Sequence, residues 1–253
     1  VLKKRIIPVQ LLVDGRLVKT KQFGAYRDVG DPVASSRVYN AQTADELIFL
    51  NINRGQRTIE PLLPLLERVS EVCFMPLSLG GGILSVGDAE VLIRHGADKV
   101  VVNSIVYDAP GIVEGIAGKF GSQAVVVSVD ARWDEGAGRY FLFSNCGRQR
   151  RDVTVEEHVL ECQGRGAGEI LVNSIDRDGT MQGFDLRLIR QAGVGKVPLI
   201  ACGGAGHYEH MREAFQETGV SALAVGSLFN FGDNNPIRAK AHLSNHGIPF
   251  KVT

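Results

Sequence analysis

The sequence predicts a single (β/α)8 TIM barrel with an internal half-barrel repeat, spanning residues 1–253, and three observations carry that prediction. The first is a set of eight short runs rich in valine, isoleucine and leucine, at 6–13, 47–52, 75–79, 99–103, 124–130, 169–174, 198–202 and 222–225. Such runs are apolar throughout rather than alternating, the pattern of parallel strands buried on both faces. The second is what lies between them. Stretches 59–72, 86–95, 110–120, 155–165, 186–192 and 208–218 carry apolar residues at helical spacing. Five of them lead into Gly96, Gly121, Gly166, Gly195 and Gly219, where left-handed helix caps are expected.

The third observation is a repeat. Leu77-Ser78-Leu79-Gly80-Gly81-Gly82-Ile83 is echoed by Ile200-Ala201-Cys202-Gly203-Gly204-Ala205-Gly206, the two glycine runs starting 123 residues apart. Segments 100–104 and 223–227 keep that lag, and Asn51 and Asn173 stand 122 residues apart. Three strand-like segments returning at half the chain length mean two similar halves. A doubly wound sheet gives no reason for such repetition, so the barrel is preferred.

Composition narrows the function classes. The chain has 253 residues, 44% hydrophobic and 22% charged, the make-up of a globular protein with the length of one barrel. Its 28 basic and 28 acidic residues cancel, so neither nucleic acid nor an acidic membrane surface is an expected partner. Cys73, Cys146, Cys162 and Cys202 lack CxxC spacing and read as reduced thiols. No apolar run approaches the ~18 residues of a membrane span. Val1-Leu2-Lys3-Lys4-Arg5 leads into a strand rather than a signal peptide, so a cytoplasmic location is expected. The histidines (His95, His158, His207, His210, His242 and His246) form no ligand-spaced set. Neither a metal nor a cofactor is assigned, and His207 and His210, at a helix start, read as solvent-facing.

Long connections and strand ends hold the candidate chemistry. Segment 14–32 follows the first strand and contains the basic run Lys19-Thr20-Lys21. A loop of this length at a strand's C-terminal end is placed for function, although a solvated hairpin would look the same. A second long connection, 131–152, carries the only tryptophan, Trp133. The glycine turns can bring backbone amides close to phosphate oxygens, and Asn103-Ser104 and Gly226-Ser227 end the neighbouring strands. Gly82, Asn103 and Ser104 in one half, and Gly204, Gly226 and Ser227 in the other, are therefore two candidate phosphate cradles. They would suit a small molecule with a phosphate at each end. Asp130 ends the fifth strand and is the candidate general acid or base; the turn residues Asp178-Gly179 read first as loop chemistry. Its first-half counterpart is Leu11, which cannot titrate. At the opposite strand ends stand Arg5, Glu46, Lys99 and Glu169, either a neutral interlocking ring or separate surface pairs.

Several of these segments together resemble the cyclase subunit of imidazole glycerol phosphate synthase. They are Lys4-Arg5-Ile6-Ile7-Pro8, Gly30-Asp31-Pro32, Gly80-Gly81-Gly82-Ile83, Gly96-Ala97-Asp98-Lys99-Val100, the run from Phe120 to Val127, Gly166-Ala167-Gly168-Glu169-Ile170-Leu171, Ser174-Ile175-Asp176-Arg177-Asp178-Gly179-Thr180 and Gly203-Gly204-Ala205-Gly206. The resemblance covers nearly the whole chain. It implies a half-repeated barrel that forms a heterodimer with a glutaminase subunit at its N-terminal face. Ammonia would pass through the barrel to a bisphosphate, phosphoribulosyl-formimino-aminoimidazole carboxamide ribotide. By the same resemblance Arg5, Glu46, Lys99 and Glu169 are the ammonia gate, Asp98 faces the partner, and Lys19 in the first loop joins the phosphate-binding set. Asp130 matches one of two catalytic aspartates. Leu11, Asn51 and Asn173 depart from the family's pattern. The run Pro8-Val9-Gln10-Leu11-Leu12 with Leu17-Val18-Lys19-Thr20 resembles a side branch serving acetamidino-sugar formation in surface-glycan (lipopolysaccharide) biosynthesis.

Three functional readings follow. The first is an ammonia-delivering lyase-class barrel subunit of a glutamine amidotransferase, supplying a sugar amidotransferase. The second is the histidine-biosynthesis cyclase, making imidazole glycerol phosphate and aminoimidazole carboxamide ribotide with Asp130 as its acid/base. The third is a non-catalytic, phosphate-sensing scaffold that activates the glutaminase. Leu11 puts the first ahead of the second, because one partner of an acid/base pair is missing.

Overall fold

The computed structural model describes residues 3–55 and 57–251, so Val1 and Leu2 of the leading segment lie outside the described residues. In chain order it runs β1 (Arg5–Val13), β2 (Arg16–Thr20), β3 (Tyr26–Gly30), α1 (Pro32–Ala41), β4 (Leu47–Asn51), α2 (Leu63–Ser70), β5 (Leu77–Gly80), α3 (Val86–Arg94) and β6 (Lys99–Val102). It continues with α4 (Ser104–Asp108), α5 (Gly111–Phe120), β7 (Val125–Asp134), β8 (Arg139–Ser144), β9 (Gln149–Arg151), α6 (Val155–Gly164), β10 (Glu169–Ser174) and α7 (Leu186–Ala192). The last elements are β11 (Leu199–Cys202), α8 (Tyr208–Thr218), β12 (Ala222–Val225), α9 (Ser227–Asn230) and α10 (Pro236–Asn245). Strands β1, β4, β5, β6, β7, β10, β11 and β12 pair in parallel in that order. β12 returns to β1, with Arg5 opposite Ala222 and Pro8 opposite Val225. The predicted (β/α)8 barrel is what the chain forms. Among the described residues no helix is long and apolar enough to cross a membrane.

Alternation along each strand explains why the runs are apolar throughout. Successive side chains point to opposite faces, so Ile6, Leu47, Val100, Val125 and Ile170 face the helices. Ile7, Ile48, Val101, Val126 and Leu171 fill the barrel interior with Val9, Ile200, Ala222 and Ala224. Helix starts are set locally. Ser85 and Thr154 form capping boxes with Asp88 and Glu157, and Asp31 caps α1 with Pro32 in its first turn. Helix α1 was not among the predicted helices, because Ser35, Ser36, Arg37 and Asn40 blur its apolar stripe; the Asp31-Pro32 pair was its legible signal. Of the expected glycine caps, Gly219 is left-handed (φ 69°, ψ 8°). Gly121 turns at φ 87°, ψ 152°, and Gly195 is not among the positive-φ glycines.

Both long connections are structured rather than coiled. Segment 14–32 continues β1 into an antiparallel ribbon, Leu11 opposite Val18 and Lys19 opposite Arg27. Segment 131–152 does the same with β7, β8 and β9, Trp133 opposite Tyr140. The half-repeat is also refined. Gly81 packs on the backbone of Asn51 at the end of β4, as Gly203 packs against Ser174 and Asn173 at the end of β10. The equivalent glycines are thus Gly81 with Gly203 and Gly82 with Gly204, a lag of 122 residues rather than 123.

The N-terminal end of the barrel is closed by one ring of ion pairs. Arg5 reaches Glu46 at 2.9 Å and Glu169 at 2.8 Å; Lys99 reaches Glu46 at 2.8 Å and Glu169 at 3.1 Å. Glu46 is only 2% exposed and takes a further bond from the Ser78 hydroxyl at 2.5 Å. Of the two arrangements open from sequence, the ring is the one formed. Removing one member of a buried pair strands the other charge. Lys99→Met should lower the unfolding free energy by about 2–4 kcal/mol, read from urea denaturation. The neutralising double variant Lys99→Met/Glu46→Gln should recover part of that loss. An unshifted midpoint for the single variant would mean that the ring is surface decoration.

Candidate active site at the barrel mouth

At the opposite end, the C-terminal ends of the strands and the loops after them enclose one cavity. Leu11, Lys19, Asn51, Gly82, Asn103, Ser104, Asp130, Asn173, Asp178, Gly204, Gly226 and Ser227 all line it. All seven predicted phosphate-site residues are therefore brought together with Asp130, while Arg5, Glu46, Lys99 and Glu169 lie at the other end. Asp98 is exposed there, and its carboxylate accepts the Leu77 amide at 2.8 Å, which holds the start of β5.

The two cradles share a backbone shape. Asn103 precedes α4 at φ −135°, ψ −83°, and Gly226 precedes α9 at φ −110°, ψ −84°. Neither helix start has a side-chain cap, so first-turn amides are left for a ligand. The glycine turns beside them are crowded. A side chain at Gly82 would collide with the Thr58 backbone and one at Gly204 with the Gly183 backbone, both at positive φ. Only glycine fits both demands. The Ser104 hydroxyl is already engaged, accepting the Asn145 amide at 2.9 Å.

Asp130 is held by two carboxamides. Asn103 Nδ2 donates to Oδ2 at 2.8 Å, and Asn173 Nδ2 donates to Oδ1 at 3.4 Å. Burial pushes this carboxyl up to about 7; the Asn173 amide pulls it down, the Asp178 charge raises it, and the Asn103 amide pulls it down again. A group near 7 can both give and take a proton at neutral pH. The Oδ1 atoms of Asn103 and Asn173 are buried without partners. Flipping either amide would offer an acceptor to a protonated Asp130. Leu11 joins the apolar interior with Leu50 and Cys202, so no second acid stands at that position.

Cations that sequence reasoning did not single out also reach this cavity: Arg54, Arg57 and Arg148. Arg54 and Arg57 share the loop after β4 and Arg148 sits in the turn between β8 and β9, so barrel closure gathers them, and with Lys19 they favour an anionic ligand. Lys19 is buried, its Nζ donating to the Val9 carbonyl at 2.7 Å, and desolvation lowers it to about 8 against the opposing pull of Asp178. Asp178, first read as a turn residue, bonds Thr20 at 2.9 Å and so latches the first-loop ribbon over the mouth. Gln22 donates to the Asp176 carbonyl at 2.9 Å and Arg54 to the Phe23 carbonyl at 2.8 Å, adding two more latches. His207 is exposed, as expected. His210 is half-buried, its Nδ1 accepting the Gly206 amide at 3.2 Å.

The upward shift of Asp130 has a consequence for stability. The folded chain holds a proton there that the unfolded chain loses near pH 4, so ionising it costs stability increasingly from about pH 4 to pH 7. Asp130 is only part-buried at the open mouth, which lessens the cost to about 1–2 kcal/mol above pH 7. Asp130→Asn should therefore melt higher than wild type, with a larger gap at pH 8 than at pH 5. Equal gaps at both pH values would place the carboxyl in an ordinary solvated environment.

Comparison with known proteins agrees with this geometry. Residues 5–235 match the family described as "Histidine biosynthesis protein". The chain is 42% identical over 248 residues to "Imidazole glycerol phosphate synthase subunit HisF" of Staphylococcus carnosus, covering 98% of each chain. It is 42% identical over 252 residues to the protein of that name from Caulobacter vibrioides, covering 99% of this chain and 97% of the relative. The corresponding protein of Lactiplantibacillus plantarum is 42% identical over 248 residues, again at 98% of each. With its barrel, its repeated cradles and full-length similarity in agreement, the chain belongs to the histidine biosynthesis protein family, among proteins similar to the HisF subunit of imidazole glycerol phosphate synthase.

Proposed function

We propose that this chain is the ammonia-using barrel subunit of a glutamine amidotransferase of the imidazole glycerol phosphate synthase type. It acts on a small molecule with two phosphate ends, with Asp130 as its acid/base and a glutaminase docked at the ring end. The observation that carries the reading is that Asp130, its carboxyl raised to about 7, lines the same cavity as the residues of both candidate cradles. Gly82, Asn103 and Ser104 take one phosphate; Gly204, Gly226, Ser227 and Lys19 take the other. Asp130 then sits over the middle of the ligand, where a proton must move as the amine adds and the leaving group departs. The glutaminase end is supported by the ring and by Phe74, just before β5 at the same end, which is 83% exposed. An exposed aromatic beside charged groups suits a protein interface.

The names of the relatives favour imidazole ring closure in histidine biosynthesis. That reverses the order of the sequence analysis, since no similarity found supports a surface-glycan role. Leu11 keeps the second reading in play. With leucine there and asparagine at position 51, neither of those two strand ends supplies a second acid beside Asp130, and ammonia delivered there would pass to another acceptor such as a sugar amidotransferase. The decisive experiment is turnover of the imidazole-pathway bisphosphate by the purified chain with saturating ammonium, beside Leu11→Asp. Ordinary turnover by wild type, lost by at least a hundredfold in Asp130→Asn, supports the cyclase. An inert wild type with a gain of activity in Leu11→Asp overturns it in favour of the second reading.

A further inference from the structure

We propose that Glu209, His242 and His246 form a binding site for a transition-metal dication of the zinc or nickel kind, on the outside of the barrel between α8 and α10. No metal was expected from the sequence, because Glu209 lies on a different helix and far from the histidines in the chain. Folding brings one potential ligand atom from each of the three to within 4.8 Å of the others. None of the three lines the mouth cavity, so the site is separate from the one that holds Asp130.

The supporting bonds already orient the donors. His242 lies on α10 and His246, four residues on, is the residue that caps its C-terminus, with ring centroids 4.7 Å apart. His246 Nδ1 lies 2.9 Å from the His242 backbone oxygen. A carbonyl only accepts, so Nδ1 carries the proton and Nε2 keeps its lone pair for a metal. His242 Nε2 lies 3.0 Å from Glu209 Oε1. Glu209 Oε2 is held at 2.6 Å by Arg212, which fixes the carboxylate and leaves Oε1 facing the histidines. A metal entering here displaces the proton shared by His242 and Glu209, the usual exchange when imidazole and carboxylate become ligands.

The donor set decides the class of ion. Two imidazoles and one carboxylate suit zinc, nickel or copper, whereas magnesium and calcium require mainly oxygen ligands. Two ligands on a tetrahedral ion stand about 3.3 Å apart when each bond is ~2.0–2.1 Å. The three side chains must therefore close in by rotamer changes, which their partial exposure permits. Three protein ligands leave at least one position to water, so the ion would be exchangeable. It would tie α10, the last helix, to α8.

The test uses the whole chain, stripped with a chelator and titrated with zinc chloride by calorimetry, with cobalt absorption as a second readout. We expect one ion per chain and an affinity reduced at least tenfold in His246→Ala and in Glu209→Gln. Zinc should raise the melting temperature of wild type and not that of His246→Ala. His246 bonds only within its own helix among the described contacts, so this variant should match wild type without metal. The proposal is overturned by absence of saturable binding, or by His246→Ala binding as tightly as wild type. A cobalt spectrum with a thiolate charge-transfer band would also overturn it, placing the ion on cysteine instead.

Discussion

Pairing of β12 with β1 is the constraint from which the other features follow. It closes the sheet, and closure turns the two-residue alternation of each strand into an inside and an outside. Reading the inside from one end to the other gives three chemistries in sequence. First comes the ring of Arg5, Glu46, Lys99 and Glu169. Next is an apolar belt of Ile7, Ile48, Val101, Val126, Leu171 and Ile200. Last is a mouth floored by Asp130, Asn103 and Asn173. The belt lies between the two polar ends. Burial beside it favours charge balance in the ring at one end and raises the Asp130 carboxyl at the other.

The mouth shows what one missing acid does to its neighbour. With Leu11 in the apolar interior, no like charge from that position acts on Asp130; burial is the leading cause of its upward shift, and Asp178 adds to it. The two amides oppose that rise by donating to the ionised form. Their orphaned carbonyl oxygens show that the same pair could serve the protonated form after a flip. Around this centre the cations outnumber the acids, and the ribbon of β2 and β3 is latched by Thr20, Gln22 and Arg54. Lys19, tucked beside Gly226, is lowered to about 8 by burial.

The barrel was legible because its signals are local: apolar runs, glycine turns and a repeat. The four ring charges were legible for the same reason, each standing next to a strand start. Features that depend on closure were not. Arg54 and Arg148 belong to loops nearly a hundred residues apart, and Glu209 meets His242 and His246 only because α8 and α10 are neighbours. The ribbon of residues 16–30 read as a long loop because Gly15, Gly24 and Gly30 interrupt it, although Leu17 and Val18 are buried against the barrel. Asp178 read as a turn residue since its sequence context, followed by glycine, is that of a turn. Its second role appears only where Thr20 comes to meet it.

The two ends of the barrel do not inform equally about function. A ring of four ion pairs around a buried glutamate also serves stability, because loss of any member leaves a charge stranded. The ring therefore meets a requirement of charge balance at this end whether or not ammonia passes through it. No such requirement applies at position 11. Leucine there packs on the apolar interior and lines the mouth with a side chain that offers a ligand no titratable group. Asn51 and Asn173 line the same region with neutral amides. On the proposed reading, the acceptor of the ammonia is therefore decided by the residues around Asp130 rather than by the ring.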